Sequence, residues 1–291
     1  MLAHRTNALS PLVGVCGETG DVLALRARGG AANDGRAMGS FTDGCVAAIP
    51  AGCADRYRLW LRVDSVGYQQ DVIEAAERHG ADYSVTVKQY KPVAAVIHAL
   101  ATDPDTVWVA ASGQKTDKGS QIAETTTTLL GRSVRLIVRR QPKRCGDQLA
   151  FDDLDGWRWH AIITNVTTDK LSAAEVEAHH RLRGGTPEDT IAALKNDFGM
   201  IHAPVQPFFG NWPYWQAAAL AHHVGLWLCT LALPRAVRRA RGKRLRLAFL
   251  NVAARLVRHG RRLHLRFAAA YPHVEQFATA LGHIQTLPAF G

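Results

Sequence analysis

Two acids and one lysine carry the chemistry that this sequence offers. Glu188 follows the run His179-His180-Arg181-Leu182-Arg183-Gly184-Gly185-Thr186-Pro187, Lys195 comes seven residues later, and Asp64 closes an apolar stretch far upstream. Residues 187–198 have the spacing of a helix: at about 100° per residue, Ile191, Leu194 and Phe198 share one face. Glu188 and Lys195 point almost the same way and flank that face, so a carboxylate and an ammonium stand at the edge of a packing contact. Thr186 is expected as N-cap, Pro187 at the first helical position, Asp189 at the third as a capping-box relative, and Gly199 as the stop. Taken alone, this helix has a plain reading: an acid near its start favours the macrodipole, and a lysine two turns on is solvated. Asp64 is equally open, either a turn or capping residue or an acid at a strand's carboxyl end, where α/β sheets place ligands.

Other groups add charge and donors. Residues 235–246 hold seven cations in twelve positions: Arg235, Arg238, Arg239, Arg241, Lys243, Arg244 and Arg246. They read either as a solvated basic connector or as contacts to a phosphate backbone, which needs many cations and no particular sequence. The pairs His179-His180 and His222-His223 suggest metal at first sight, but neighbours on a helix diverge by about 100° and do not easily share one ion. Gly113-Gln114-Lys115-Thr116 lacks the spaced glycines of a phosphate loop. The five cysteines (Cys16, Cys45, Cys53, Cys145, Cys229) form no CxxC pair and read as scattered reduced thiols.

The elements that must position these groups alternate in type. Residues 10–28 read as a hairpin with glycine in its turn, and a poorly marked helix is expected at 36–48. Leu59, Leu61 and Val63 alternate in a strand over 57–65 that ends at Asp64. A helix over 70–80 closed by Gly80 and a strand over 83–87 complete a strand–helix–strand crossover. After a helix at 92–101, strands are expected at 106–110, 123–130, 134–139 and 157–166, either as an insertion or as a continuation of the sheet. Ser172 caps a helix over 173–182. A long apolar helix at 212–233 is broken by Pro234, and a helix at 247–257, a strand at 261–267 and a helix at 273–281 follow.

Composition sets the frame. A chain of 291 residues, 47% hydrophobic and 21% charged, has the make-up of an ordinary globular protein. Lys plus Arg outnumber Asp plus Glu by 35 to 25, with a pI near 9.7, which suits a polyanionic partner, nucleic acid first and an acidic membrane surface second. Met1 to Thr6 leads into no apolar core segment, so no signal peptide is expected, and the longest apolar run, 215–233, is interrupted by Gln216, His222, His223 and Thr230. It reads as a buried helix rather than a membrane span. A soluble, cytoplasmic protein is expected.

The runs Arg62-Val63-Asp64-Ser65-Val66-Gly67-Tyr68 and Arg181 through Gly199 resemble the second-acid and third-acid motifs of bacterial insertion-sequence transposases with a DDE triad. Phe208-Phe209-Gly210-Asn211-Trp212, the long apolar helix, the basic tail and the opening hairpin resemble that family too, so the likeness covers nearly the whole chain. It implies an α/β, ribonuclease H-like fold: a mixed five-stranded sheet flanked by helices, with a β-rich insertion and a helical, basic C-terminal part. The division it implies is 1–104 for the first part of the core, 105–170 for the insertion, 171–233 for the catalytic and packing helices, and 234–291 for the basic region.

By the same resemblance, Asp64 and Glu188 are catalytic and bind Mg²⁺, with Mn²⁺ as a substitute. Arg183 and Lys195 touch the DNA strand near the cleaved bond, and the cations of 235–246 hold the double-stranded backbone. A homo-oligomer assembled on DNA at the nucleoid, with no membrane, completes the expectation. The sequence departs from the family in several places. The family's first Asp lies on a strand before the opening hairpin, Asp21 and Asp34 stand in no matching motif, and His180 replaces a family Tyr. The Arg-to-Glu spacing also differs slightly from some relatives. The reading is a shortened transposase with impaired phosphodiester cleavage and strand transfer, the alternative a non-catalytic DNA-binding remnant.

Overall fold

Strand β3 (Trp60–Val63) ends where the first acid begins, and it pairs in parallel with β4 (Asp82–Thr86). Parallel neighbours need a crossover, and helix α3 (Gln70–Arg78) supplies it, burying Val72, Ile73, Ala75 and Ala76. The computed structural model describes residues 10–29, 35, 37–54, 56–111, 119–143, 156–234, 237 and 242–288.

β4 then pairs antiparallel with β8 (Trp157–Thr164), β8 with β7 (Arg132–Pro142), β7 with β6 (Gln121–Leu129), and β6 with the short β5 (Val109–Ala110). The order is β3-β4-β8-β7-β6-β5. The β-rich span between the two acids therefore continues the sheet of β3 and β4, the second of the two readings open in the sequence. Leu130 and Gly131, at φ 53° and 72°, make the two-residue turn that twists β6 into β7.

Both faces of the sheet are covered, and its central strands β7 and β8 carry the short apolar runs Leu136-Ile137-Val138 and Ala161-Ile162-Ile163, which fill both faces. Val85, Leu136, Val138 and Ile163 pack with Ile73 of α3 and with Val93 and Ile97 of α4 (Lys91–Thr102). On the other face Ile122, Ile137 and Ile162 meet Val176 of α5 (Ala173–Arg181). Ser172 caps α5 in a full capping box with Glu175, as its position predicts.

The opening hairpin, β1 (Leu12–Val15) and β2 (Val22–Arg26), forms its own two-stranded sheet. Six strands plus a separate pair thus stand where the resemblance implies one five-stranded sheet. α1 (Met38–Ala47) packs Met38 and Phe41 against Leu12 and Val72, and the short α2 (Ala51–Ala54) follows it. The hairpin's other contact is a core of Val22, Leu25, Leu194, Trp215 and Ala218. It is shared with α6 (Thr186–Asn196) and α7 (Phe208–Trp227).

Three expectations are corrected. Thr186 is not the N-cap of α6: Leu182–Gly184 turns as a 3₁₀ segment, Gly185 N donates to Leu182 O at 3.1 Å, and Gly185 itself becomes the cap with no side-chain bond. Pro187 is thereby the second helical residue. α7 begins at Phe208 rather than 212, because the Asn211 amide bonds the carbonyls of Val205 (2.6 Å) and Pro207 (3.2 Å) and closes the turn that starts it. It runs into a π-turn, Leu228–Ala232, before Pro234. The helix expected at 247–257 is absent. A π-turn (Arg246–Leu250) after α8 (Gly242–Leu245) gives way to β9 (Ala254–His259), paired with β10 (Arg262–Phe267). The deciding residues are Gly260 and Arg261, at φ 56° and 62°, which form a two-residue turn of hairpin twist. α9 (Val274–Thr286) closes the chain, with Ala280 buried beside Ala232, Leu233 and Phe249. Among the described residues no helix is long and apolar enough to cross a membrane.

Candidate functional site

Asp64 is exposed one residue beyond β3, and its Oδ1 accepts from Val66 N at 3.0 Å, capping the turn Ser65–Gly67. The face of β3 in phase with it looks onto α5. Trp60 Nε1 donates to Ser84 Oγ at 3.1 Å, and Arg62 Nη1 donates to the His179 carbonyl at 3.3 Å. Both the turn-capping role and the strand-end placement that the sequence left open are thus realised in one residue.

α5 is held on this face by buried polar groups. His180, 3% exposed, sits between the Ser84 hydroxyl at 2.9 Å and the Thr86 hydroxyl at 3.0 Å. Burial pushes its pKa down to about 3, and the neighbouring His160, 6.2 Å away between ring centroids, is pushed down to about 4 by burial first and nearby arginines second. Both imidazoles are neutral at ordinary pH. His179 lies against Trp60 at 4.0 Å between centroids. Glu177, 1% exposed, faces Arg139 at 3.2 Å and Arg181 at 3.7 Å. None of these clamping residues was nominated from sequence except the histidine pair. The signal that could have found the clamp is the alternation of Ser84 and Thr86 on the strand beside Asp64.

The clamp fixes where the chain enters α6. Glu188 stands exposed in the first turn, with Arg183 Nη1 3.8 Å from its Oε1. The hairpin tip presses on the same turns: Gly20, at φ 82°, accepts from Thr190 Oγ1 (3.4 Å) and His222 Nε2 (3.0 Å), while Val22 N donates to His223 Nε2 (2.8 Å). The second histidine pair therefore pins the hairpin to α7. The tip also brings Glu18 to 3.7 Å from Arg62.

The predicted cations are distributed unevenly. Lys195, Lys243 and Arg244 are exposed. Arg246 is half-buried, donates to the Asp197 carbonyl at 2.7 Å and lies over Phe198, so it caps the end of α6. Arg235, Arg238, Arg239 and Arg241 lie outside the described residues, as does the 113–116 segment. Among the described residues no three His, Cys, Asp or Glu side chains are grouped to hold a metal ion.

The family model described as "Transposase DDE domain group 1" matches residues 4–289. No curated protein matches the chain.

Proposed function

The chain belongs to the transposase DDE domain family, group 1, and from that premise we propose that it acts on the DNA ends of an insertion sequence, with Asp64 and Glu188 as two of its acids. The supporting observation is the common frame of the two carboxylates. Each is exposed, and each is carried by an element tied to the other through α5, whose His179 carbonyl binds Arg62 and whose His180 binds β4.

Arg183 and Lys195 are the proposed strand contacts. A guanidinium grips a phosphate with a planar fork, and an ammonium acts as a mobile point charge. Arg183 rests 3.8 Å from Glu188 and is 37% exposed; an exposed pair of this kind is held by about 1 kcal/mol or less, so a phosphate can displace the carboxylate. The exposed Lys243 and Arg244, with Arg235, Arg238, Arg239 and Arg241, belong to the proposed duplex contact. The protein is proposed to assemble as a homo-oligomer on DNA, at the nucleoid.

Carboxylate oxygens are the right donors for Mg²⁺ or Mn²⁺, and a two-metal phosphodiester site would use such ions to activate the attacking oxygen and stabilise the leaving one. The described residues do not complete such a centre: Asp64 is engaged in capping its own turn, Glu188 faces Arg183, and no three candidate ligands are grouped among the described residues. Cleavage and strand transfer by this chain are therefore proposed to be impaired while duplex binding persists. That same shortfall is what favours the second reading, a non-catalytic DNA-binding remnant. Incubating the protein with element-end plasmid in Mg²⁺ or Mn²⁺ tests both. Retention of duplex that weakens with salt, with nicking no faster than in Glu188→Gln, is expected. Failure to retain duplex at low salt would refute the DNA reading.

A further inference from the structure

The chain's net positive charge is confined to one region. Residues 198–274 hold twelve Lys and Arg with no Asp or Glu, while the rest of the chain holds 23 cations against 25 acids. The whole excess of +10 thus lies in that stretch, and five of its arginines fall on or between β9 and β10 rather than in the 235–246 cluster.

The register of this ribbon sorts its side chains. Directly paired residues of antiparallel strands share a face. Arg262 pairs with His259, His264 with Val257, and Arg266 with Arg255; the opposite face carries Leu263 with Arg258, Leu265 with Leu256, and Phe267 with Ala254. One face is therefore cationic and the other mainly apolar. Arg255, Arg262 and Arg266 are exposed, and among the described residues no ion pair involves them. The ribbon is anchored at its Phe267 end. Phe267 stacks on Tyr271 (5.0 Å) and meets Phe277 of α9 edge-on (4.8 Å), and the Tyr271 hydroxyl donates to the Ala248 carbonyl at 2.5 Å. The other end, Gly260-Arg261, is exposed.

We propose that the β9–β10 ribbon is a distinct duplex-DNA contact, its Arg255, Arg262 and Arg266 face lying along the phosphate backbone. Two isolated strands are marginal in water by themselves, and among the described residues no acid pairs with the three arginines of this face. Arg262 and Arg266, four residues apart on β10, stand about 13 Å apart, close to four axial phosphate steps of roughly 3.4 Å on one DNA strand, and Arg255 lies directly across from Arg266. A two-stranded ribbon also fits the width of the major groove. The proposal rests on the reading that this protein holds duplex DNA, and it adds a surface to that reading.

The test is the salt dependence of binding of the whole protein to a labelled duplex. Each lost phosphate contact lowers the slope of log K against log salt by about 0.9, so Arg255→Gln/Arg262→Gln/Arg266→Gln should lose about 2.7 of slope and roughly 500-fold in affinity at 0.1 M salt. The triple Arg→Lys variant keeps the charges and should restore the slope. Leu256→Ser/Leu263→Ser, on the other face, should leave DNA binding unchanged. If the triple Gln variant proves unfolded by circular dichroism, the exposed Arg262→Gln alone should still lose about 0.9 of slope. An unchanged slope in the Gln variants, with wild type binding normally, overturns the ribbon while the DNA reading stands. No duplex binding by wild type overturns both. Unchanged DNA binding together with loss of binding to phosphatidylserine vesicles would assign the face to an acidic membrane instead.

Discussion

Acidification should loosen the frame that carries Arg183 and Glu188, and His180 is where the effect originates. The side chain is 3% exposed between two hydroxyls, and burial holds its pKa at about 3 in the folded chain. An unfolded histidine titrates near 6.5, so on acidification the unfolded chain takes up the proton first. The stabilisation is complete above about pH 6.5 and is lost as pH falls from there towards 3, at about 1.4 kcal/mol per pH unit. At pH 5 the loss from this one residue is about 2 kcal/mol. With an unfolding entropy of about 2.1 cal/mol/K per residue, that is roughly 3 °C in Tm for a chain of this length. His160, pushed down to about 4, adds in the same direction. The assay is thermal melting of wild type and His180→Gln at pH 7.5 and pH 5. Gln keeps an amide for the hydroxyls but does not titrate, so its Tm should drop less between the two values, by roughly 3 °C. An equal drop in both proteins would refute the assignment of the acid response to this residue.

Other perturbations read separate parts of the frame. Leu194→Ala, at a 1% exposed position between the hairpin and α7, should cost about 2–5 kcal/mol in denaturant unfolding. Glu177→Ala leaves Arg139 and Arg181 facing a buried gap and should destabilise by about 3–5 kcal/mol, whereas a change below about 1 kcal/mol would mean the charges are already solvated. Lys195→Gln, at an exposed position, should leave Tm within about 1 °C while lowering the salt slope of duplex binding by about 0.9.

Local pattern was enough where a single element decides its own fate. The 3.6-residue spacing of Ile191, Leu194 and Phe198 located α6, the Ser172 capping box located α5, and the alternation before Asp64 located β3. What stayed hidden depended on partners distant in the chain. The placement of β5–β8 in one sheet with β3 required the antiparallel contact of β4 with β8. Residues 254–257 carry both helical and strand patterns, and pairing across Gly260-Arg261 settled the choice. The cap of α6 moved to Gly185 because the preceding 3₁₀ turn sets the chain's direction, a geometry with no side-chain signature. For the candidate site, residue type and order nominated Asp64 and Glu188, yet the Ser84–His180–Thr86 clamp that holds α5 on β4 joins three residues on two elements and is visible only in space.

The proposed function has two halves, retention of element DNA by the cations and inefficient cleavage at Asp64 and Glu188. Nicking of supercoiled element-end plasmid in Mg²⁺, run beside duplex retention on wild type, Asp64→Asn and Glu188→Gln, measures both halves at once. Salt-sensitive retention by all three proteins and the same low nicking rate in each are expected. Metal-dependent nicking by wild type that either substitution abolishes would contradict the proposal, by showing that Asp64 and Glu188 belong to a complete site.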